Sequence, residues 1–426
     1  MLTNDYKAKL LNGDFNKSLS YIYCGKDTDV YVARYVRAIE SFEKQFGEGK
    51  DIEIFSAPGR SEIIGNHTDH QRGKCMGASV NLDVVGVAAK NDDRIIRIKS
   101  EGYKMDVIDL KDLHFKPEEV NTSAALIRGI ASSFEDMGYT IDGFDVYTTS
   151  NVLKGSGLSS SAAFEVLVGN VINDLFCDGK EDASSIAKIG QYAENKFFGK
   201  PCGMLDQMSS SVGGFVYLDF YDLKNPKFEK IDFDFAKANH SLCIIDTGGN
   251  HADLTPEYAA VTKEMNKIAG YFGKEVLIDV DRNDFYSNIS KLRTIAGDRA
   301  ILRSIHFLNE VDRVDECAEN LKNNDFKGFK KKLIESGHSS FMYLQNVYPA
   351  SLPKEQGTSL ALAVCDQILD GEGAFRIHGG GFAGTIQAFV PNKKLNDFKA
   401  KIERIFGVNS CYVLAVRPVG GYKLAE

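Results

Sequence analysis

Nowhere does this sequence run for the roughly 20 consecutive apolar residues that a membrane span requires, so no membrane partner is expected. The opening residues, Met1-Leu2-Thr3-Asn4-Asp5, are polar and lack the apolar core of a signal peptide. The eight cysteines (24, 75, 177, 202, 243, 317, 365 and 411) include no C-x-x-C pair. That scatter suits ordinary buried thiols in a reducing cytoplasm. Positive charge is in deficit, with 51 Lys and Arg against 59 Asp and Glu and a formal net charge of -8. Such a balance argues against a grip on nucleic acid, though not against an anionic ligand held by local backbone dipoles. There is no G-x-x-x-x-G-K-[ST] loop, no protein-kinase motif set, no internal repeat and no low-complexity linker.

What is present points to an α+β protein of two domains. At 426 residues the chain exceeds the size at which single cores stop growing, and 43% hydrophobic content supplies apolar material for more than one. Residues 1–28 are polar and mixed and read as a peripheral extension. Val32, Tyr35, Val36, Ile39 and Phe42 then recur at helical spacing, with Gly47 as a stop. Ile52 and Ile54 alternate with charges as in a strand. Val80–Ala89 and Arg94–Lys99 are β-rich on either side of Asn91-Asp92-Asp93, a hairpin signal. Helix is expected over 121–138, strand over 144–149, and Gly213-Gly214 breaks the pattern before a strand from Phe215. Domains 1–214 and 215–426 follow, the second mixing strands (241–246, 384–390, 411–417) with helical stretches (255–272, 299–346).

The stretch Lys154-Gly155-Ser156-Gly157-Leu158-Ser159-Ser160-Ser161-Ala162-Ala163 lies between a strand and an apolar helical stripe of Phe164, Leu167, Val168, Val171, Ile172 and Leu175. Glycines let backbone N–H groups approach phosphates, serine hydroxyls add donors or reach a metal ion, and the following helix contributes its positive end. A plain connector with a serine N-cap is the competing reading.

Three segments together resemble the GHMP kinases (galactokinase, homoserine kinase, mevalonate kinase and phosphomevalonate kinase). Asn151 to Glu165 is similar to that family's phosphate-binding motif. Ala57-Pro58-Gly59-Arg60-Ser61-Glu62-Ile63-Ile64-Gly65-Asn66-His67-Thr68-Asp69-His70 resembles its first motif in the galactokinase version. Ile377-His378-Gly379-Gly380-Gly381-Phe382-Ala383-Gly384 resembles the third. Glu194 to Gln207, with Pro201-Cys202-Gly203 and Leu205-Asp206-Gln207, is similar to the galactokinase segment that carries the catalytic aspartate. The resemblance implies a two-domain GHMP kinase fold: an N-terminal mixed β-sheet with helices, a C-terminal α/β sandwich, and an active site in the cleft between them. It also implies ATP, Mg²⁺ and a sugar as partners. A cytoplasmic monomer or weak homo-oligomer is expected.

The roles implied by that resemblance are specific. Asp206 accepts the proton of the anomeric hydroxyl and Arg60 is the cation beside the phosphoryl group, where a permanent planar charge is suited. Gly155, Ser156, Gly157, Leu158, Ser159, Ser160, Ser161 and Ala162 hold the nucleotide. Ser161, or its neighbour Ser160, shares Mg²⁺ with Glu194. Asn66, His67, Asp69, Gly203 and Tyr258 bind the sugar. Without the family, Asp206 reads as a helix cap, Arg60 as a surface ion pair, Glu194 as an exposed helical glutamate and Tyr258 as a core aromatic. His67-x-x-His70 lacks a completing zinc pair, and the glycines at 379–381 read as a tight turn with no assigned chemistry. The first motif departs from its usual form: Asn66 replaces glutamate, Ser61-Glu62 replaces Val-Asn, and His70 replaces tyrosine. Leu153 replaces the proline before the phosphate loop. Galactose, N-acetylgalactosamine and another sugar phosphorylated at its anomeric carbon all stay open as substrates, and a catalytically silent sugar and ATP sensor is the rival class.

Overall fold

A computed structural model of the chain describes every residue except 26, 154–156, 224 and 250–253. Among the described residues twelve strands form two sheets. They are β1 (Glu53–Ile64), β2 (Lys74–Lys90), β3 (Ile95–Ser100), β4 (Met105–Asp109), β5 (Phe144–Ser150), β6 (Phe215–Asp219), β7 (Lys227–Ile231), β8 (His240–Asp246), β9 (Ala374–Ile377), β10 (Thr385–Pro391), β11 (Cys411–Leu414) and β12 (Tyr422–Lys423). The larger sheet runs β12-β1-β2-β5-β3-β4, with β6 on the first part of β2 and β7 beyond it; the smaller runs β11-β8-β10-β9.

The long strand β2 is buried on both faces, and its two-residue period sorts its side chains into two cores. Val84 and Ala88 face the core that helix Ser160–Cys177 packs into. Val85, Val87 and Ala89 face another, built with Ile52 and Ile54. This second core corrects the reading of residues 1–28 as a peripheral extension. Helices Thr3–Asn12 and Asn16–Tyr23 bury Tyr6, Leu10, Leu19, Ile22 and Tyr23 there, beside helix Asp29–Phe46. Each of the first two helices contributes few apolar residues, so its polar face dominates the local composition.

The hairpin expected around Asn91 also needs correction. β2 and β3 are not neighbours: β5 lies between them, antiparallel to β2 (Val85↔Thr149) and parallel to β3 (Ile98↔Val146). Asn91 does turn the chain, but its backbone N–H and side-chain amide donate to Gly143 O and Asp145 Oδ1, both 2.9 Å away. Turn chemistry sets a reversal; it does not choose the strand partner. The strand that begins at Phe215, placed at the head of the second domain by sequence, pairs with β2, and β12 returns to pair with β1. The stretch 299–346 divides into helices Asp298–Lys322 and Phe326–Ser339 and a wider final turn, Ser340–Leu344. Among the described residues no helix is long and apolar enough to cross a membrane.

Candidate active site

The first motif, the Gly/Ser loop and the Asp206 helix meet at one place. A Cβ on Gly59 would lie 2.7 Å from the Leu158 carbonyl, so β1 and the loop touch only because residue 59 lacks one. One residue on, the Arg60 N–H donates to Leu158 O at 2.9 Å. The Arg60 guanidinium then grips Asp206 with two parallel bonds, Nε to Oδ1 at 2.7 Å and Nη2 to Oδ2 at 2.6 Å. Its remaining nitrogen, Nη1, donates to Gly157 O. Asp206 sits in the first turn of helix Leu205–Val212 and stays 31% exposed at its side chain. Burial raises its pKa, but the Arg60 charge, hydrogen bonds from Ser159 and Arg60, and the Lys200 charge outweigh it and hold the carboxyl below the ordinary range. The surface-ion-pair and helix-cap readings are too small for a buried-edge bidentate clamp of this kind.

Ser159 adopts a left-handed backbone (φ 54) that starts helix Ser160–Cys177, and Gly157 has φ 74. Leu158 and Ala162 are buried, Gly157 is exposed and Ser159, Ser160 and Ser161 are half-buried. Gly155 and Ser156 lie outside the described residues.

Glu194 is not an exposed helical glutamate. Helix Ala183–Ala193 passes into a wider turn at this residue, which is only 2% exposed. Its Oε1 lies 3.5 Å from Ser161 Oγ and 3.2 Å from Lys200 Nζ, while Oε2 accepts from Gln207 Nε2 at 2.7 Å. The second Gln207 amide hydrogen goes to Glu165 Oε2 at 2.9 Å. Glu165 is fully buried, and burial together with the Glu194 charge pushes its pKa well above the usual carboxylate range. Sequence reasoning gave Glu165 and Gln207 no role. The available signal was a glutamate on the core-facing side of an apolar helical stripe.

The sugar candidates gather around the third motif. Asn66 donates to Gly379 O, the His67 Nε2–H to Gly380 O at 2.9 Å, and Tyr258 OH to Gly381 O at 2.9 Å. The three glycines with no assigned chemistry therefore present a row of acceptors that fixes three candidate side chains. A Cβ at Gly380 would lie 2.7 Å from Tyr258 Cε1, so that row tolerates no side chain there. The His67 and Tyr258 rings are nearly parallel with centroids 6.4 Å apart, and Phe382 packs edge-on against Tyr258. Asp69 is exposed, and its Oδ2 would be 3.2 Å from a Cβ on Gly203; both line a cavity of about 580 Å³.

Asn66 departs from its expected place as a sugar ligand. It is fully buried, its second amide hydrogen goes to Glu62 Oε1 at 3.1 Å, and its Oδ1 accepts from Asn346 Nδ2 at 2.6 Å. An amide so engaged braces the loop rather than a ligand.

Helix Asp298–Lys322 supports this loop from behind. His306 Nε2–H donates to Asn66 O at 3.1 Å, and the Gly65 N–H donates to Glu310 Oε1 at 3.2 Å. Burial disfavours the Glu310 charge, but Arg313, His306 and Arg376, with a hydrogen bond from Ser336, bring its pKa down to about 2. A depressed carboxylate stabilises the fold above its unfolded pKa and loses that contribution as pH falls through its folded value. Glu310→Gln is accordingly expected to lower unfolding free energy by about 3 kcal/mol at pH 7. The deficit relative to the unsubstituted chain shrinks as pH falls from about 4 toward 2. Urea unfolding across that range measures it; a deficit constant with pH would contradict the ionised assignment.

A family model for the GHMP kinases N-terminal domain matches residues 125–214, and one for the galactokinase galactose-binding signature matches residues 40–90. A galactokinase of Glaesserella parasuis is 31% identical over 367 residues, covering 85% of this chain and 91% of its own. One from Clostridium tetani is 30% identical over 365 residues, covering 85% and 90%. The crystal structure of Lactococcus lactis galactokinase complexed with galactose superposes with a TM-score of 0.75 over 92% of this chain and 100% of that one. At 24% identity it speaks for the fold.

Proposed function

The chain belongs to the galactokinase family, and from that membership we propose that it transfers the γ-phosphoryl group of ATP to the anomeric hydroxyl of D-galactose, giving galactose 1-phosphate and ADP. It is an ATP-dependent sugar kinase. The observation that carries the site assignment is the Arg60 guanidinium, which holds Asp206 by two nitrogens and Gly157 of the loop by the third. These contacts support a reading in which the loop cradles phosphate beside the Arg60 cation and the Asp206 carboxylate.

The Gly157–Ala162 backbone and the N-terminus of helix Ser160–Cys177 hold the nucleotide phosphates. The sugar lies against His67, Asp69, Gly203 and Tyr258 with its anomeric oxygen toward Asp206. A hydroxyl is a poor nucleophile, and the Asp206 carboxylate accepts its proton as the oxygen reaches phosphorus. Arg60 keeps that carboxylate ionised and faces the charge that develops on the transferring group. The buried Glu194 carboxylate and the Ser161 hydroxyl suit Mg²⁺, which takes few protein ligands beside phosphate and water. When bound, Mg²⁺ neutralises phosphate charge; Gln207 and Lys200 hold Glu194 for it.

ADP release on mixing the protein with Mg-ATP and a panel of sugars tests this reading. Galactose is expected to give turnover with the new phosphate on the anomeric oxygen, and chelation of Mg²⁺ is expected to stop it. Faster turnover of N-acetylgalactosamine would reassign the substrate. Sugar and ATP binding without ADP release would leave a sensor.

A further inference from the structure

Asn66 has no open amide group to offer a sugar, yet a carboxylate stands beside it. Glu62 follows Arg60 by two residues on β1, and strand periodicity puts both side chains on one face. Its register partner is Gly77. A Cβ on Gly77 would lie 2.8 Å from Leu205 Cδ1, so this face is the one covered by helix Leu205–Val212, whose first turn carries Asp206.

Two interactions aim the Glu62 carboxylate. Oε1 accepts from Asn66 Nδ2 at 3.1 Å and lies 3.7 Å from Arg376 Nη1. Arg376 is itself fully buried, and its Nη1 also donates to Ile63 O at 2.9 Å. Among the described residues no donor reaches Oε2, and the side chain keeps 14% of its area open. A carboxylate with one oxygen anchored and the other open is a directed acceptor for a hydroxyl.

We propose that Glu62 Oε2 accepts a hydrogen bond from a ring or exocyclic hydroxyl of the bound sugar, making Glu62 a specificity-determining residue of the pocket. Asn66 serves as the brace that orients it. This rests on the sugar-kinase reading above. The hydroxyl in question is a non-reacting one, since the anomeric oxygen belongs to Asp206. The contact favours sugars that present a free hydroxyl at that position over deoxy or blocked analogues.

The test compares the unsubstituted protein with Glu62→Ala and Glu62→Gln, using calorimetry and steady-state kinetics with galactose and each of its monodeoxy analogues. Glu62→Ala is expected to raise the galactose Kd and KM by about 10- to 100-fold, the worth of a hydrogen bond to a charged group, with KM for ATP unchanged. With the one deoxy sugar that lacks the contacted hydroxyl, variant and parent are expected to bind alike, because the pair no longer exists. Galactose affinity unchanged in Glu62→Ala, or an equal loss with every deoxy analogue, overturns the proposal while leaving the kinase reading intact. Should Glu62→Ala fail to fold, Glu62→Gln carries the same comparison, since its amide oxygen still receives Asn66 Nδ2. A parent protein that neither binds nor turns over any sugar of the panel sinks both.

Discussion

Asp206→Asn is expected to lower kcat by about 10²- to 10⁴-fold, the range that a positioned proton acceptor contributes, while the galactose Kd changes by no more than about threefold. Asparagine fills the same volume and keeps one acceptor oxygen, so the pocket wall beside Arg60 stays in place. What it lacks is a site for the proton. The parent carboxyl is ionised because the Arg60 charge and the hydrogen bonds from Ser159 and Arg60 outweigh its burial. The parent therefore enters the reaction as a base over the whole neutral range. Loss confined to kcat is the signature of an interaction made in the transition state. ATP should bind the variant at least as tightly, since a negative charge facing the γ-phosphoryl group has gone. Single-turnover ADP formation and galactose calorimetry separate the two effects. Near-parental turnover would remove Asp206 from the chemistry.

The parts of this site that were legible in the sequence are those whose chemistry is local. A glycine and serine run ahead of an apolar helical stripe reads as a candidate phosphate loop, with a plain connector as its rival, because backbone access and helix start lie within ten residues. Arg60 and Asp206 were readable only as members of motifs; that one guanidinium clasps both the aspartate and Gly157 is a fact of the fold. Asn66 shows the limit most clearly. Two of its three partners, Gly379 and Asn346, lie about three hundred residues away in sequence, and only Glu62 is local. Glu165 hid for the opposite reason. A lone glutamate on the core-facing side of an apolar stripe carries no readable role until its partner, Gln207, is seen beside it. Residues 1–28 were undervalued because their apolar side chains are thinly spread and acquire a core only from the sheet they cover.

Arg60→Met is expected to be the costliest single change, with kcat falling by about 10³- to 10⁵-fold, the worth of an arginine that faces a transferring phosphoryl group. Two losses combine in it. The developing charge loses its fixed cation, and Asp206 loses the largest influence opposing its burial. With burial left to raise the carboxyl pKa, the acid limb of the kcat profile is expected to move to higher pH, because protonated Asp206 cannot accept. Arg60→Lys restores the charge but not the planar fork that engages both carboxylate oxygens and Gly157 O at once. Its rate should lie between those of parent and methionine variant, with an acid limb close to the parental one. Because the two residues act as a unit, the double variant Arg60→Met with Asp206→Asn should be little slower than the worse single variant. Rates measured from pH 5 to 9 for the parent, the three single variants and the double variant decide the matter: strictly additive losses, or an acid limb that does not move in Arg60→Met, would mean that Arg60 and Asp206 work separately.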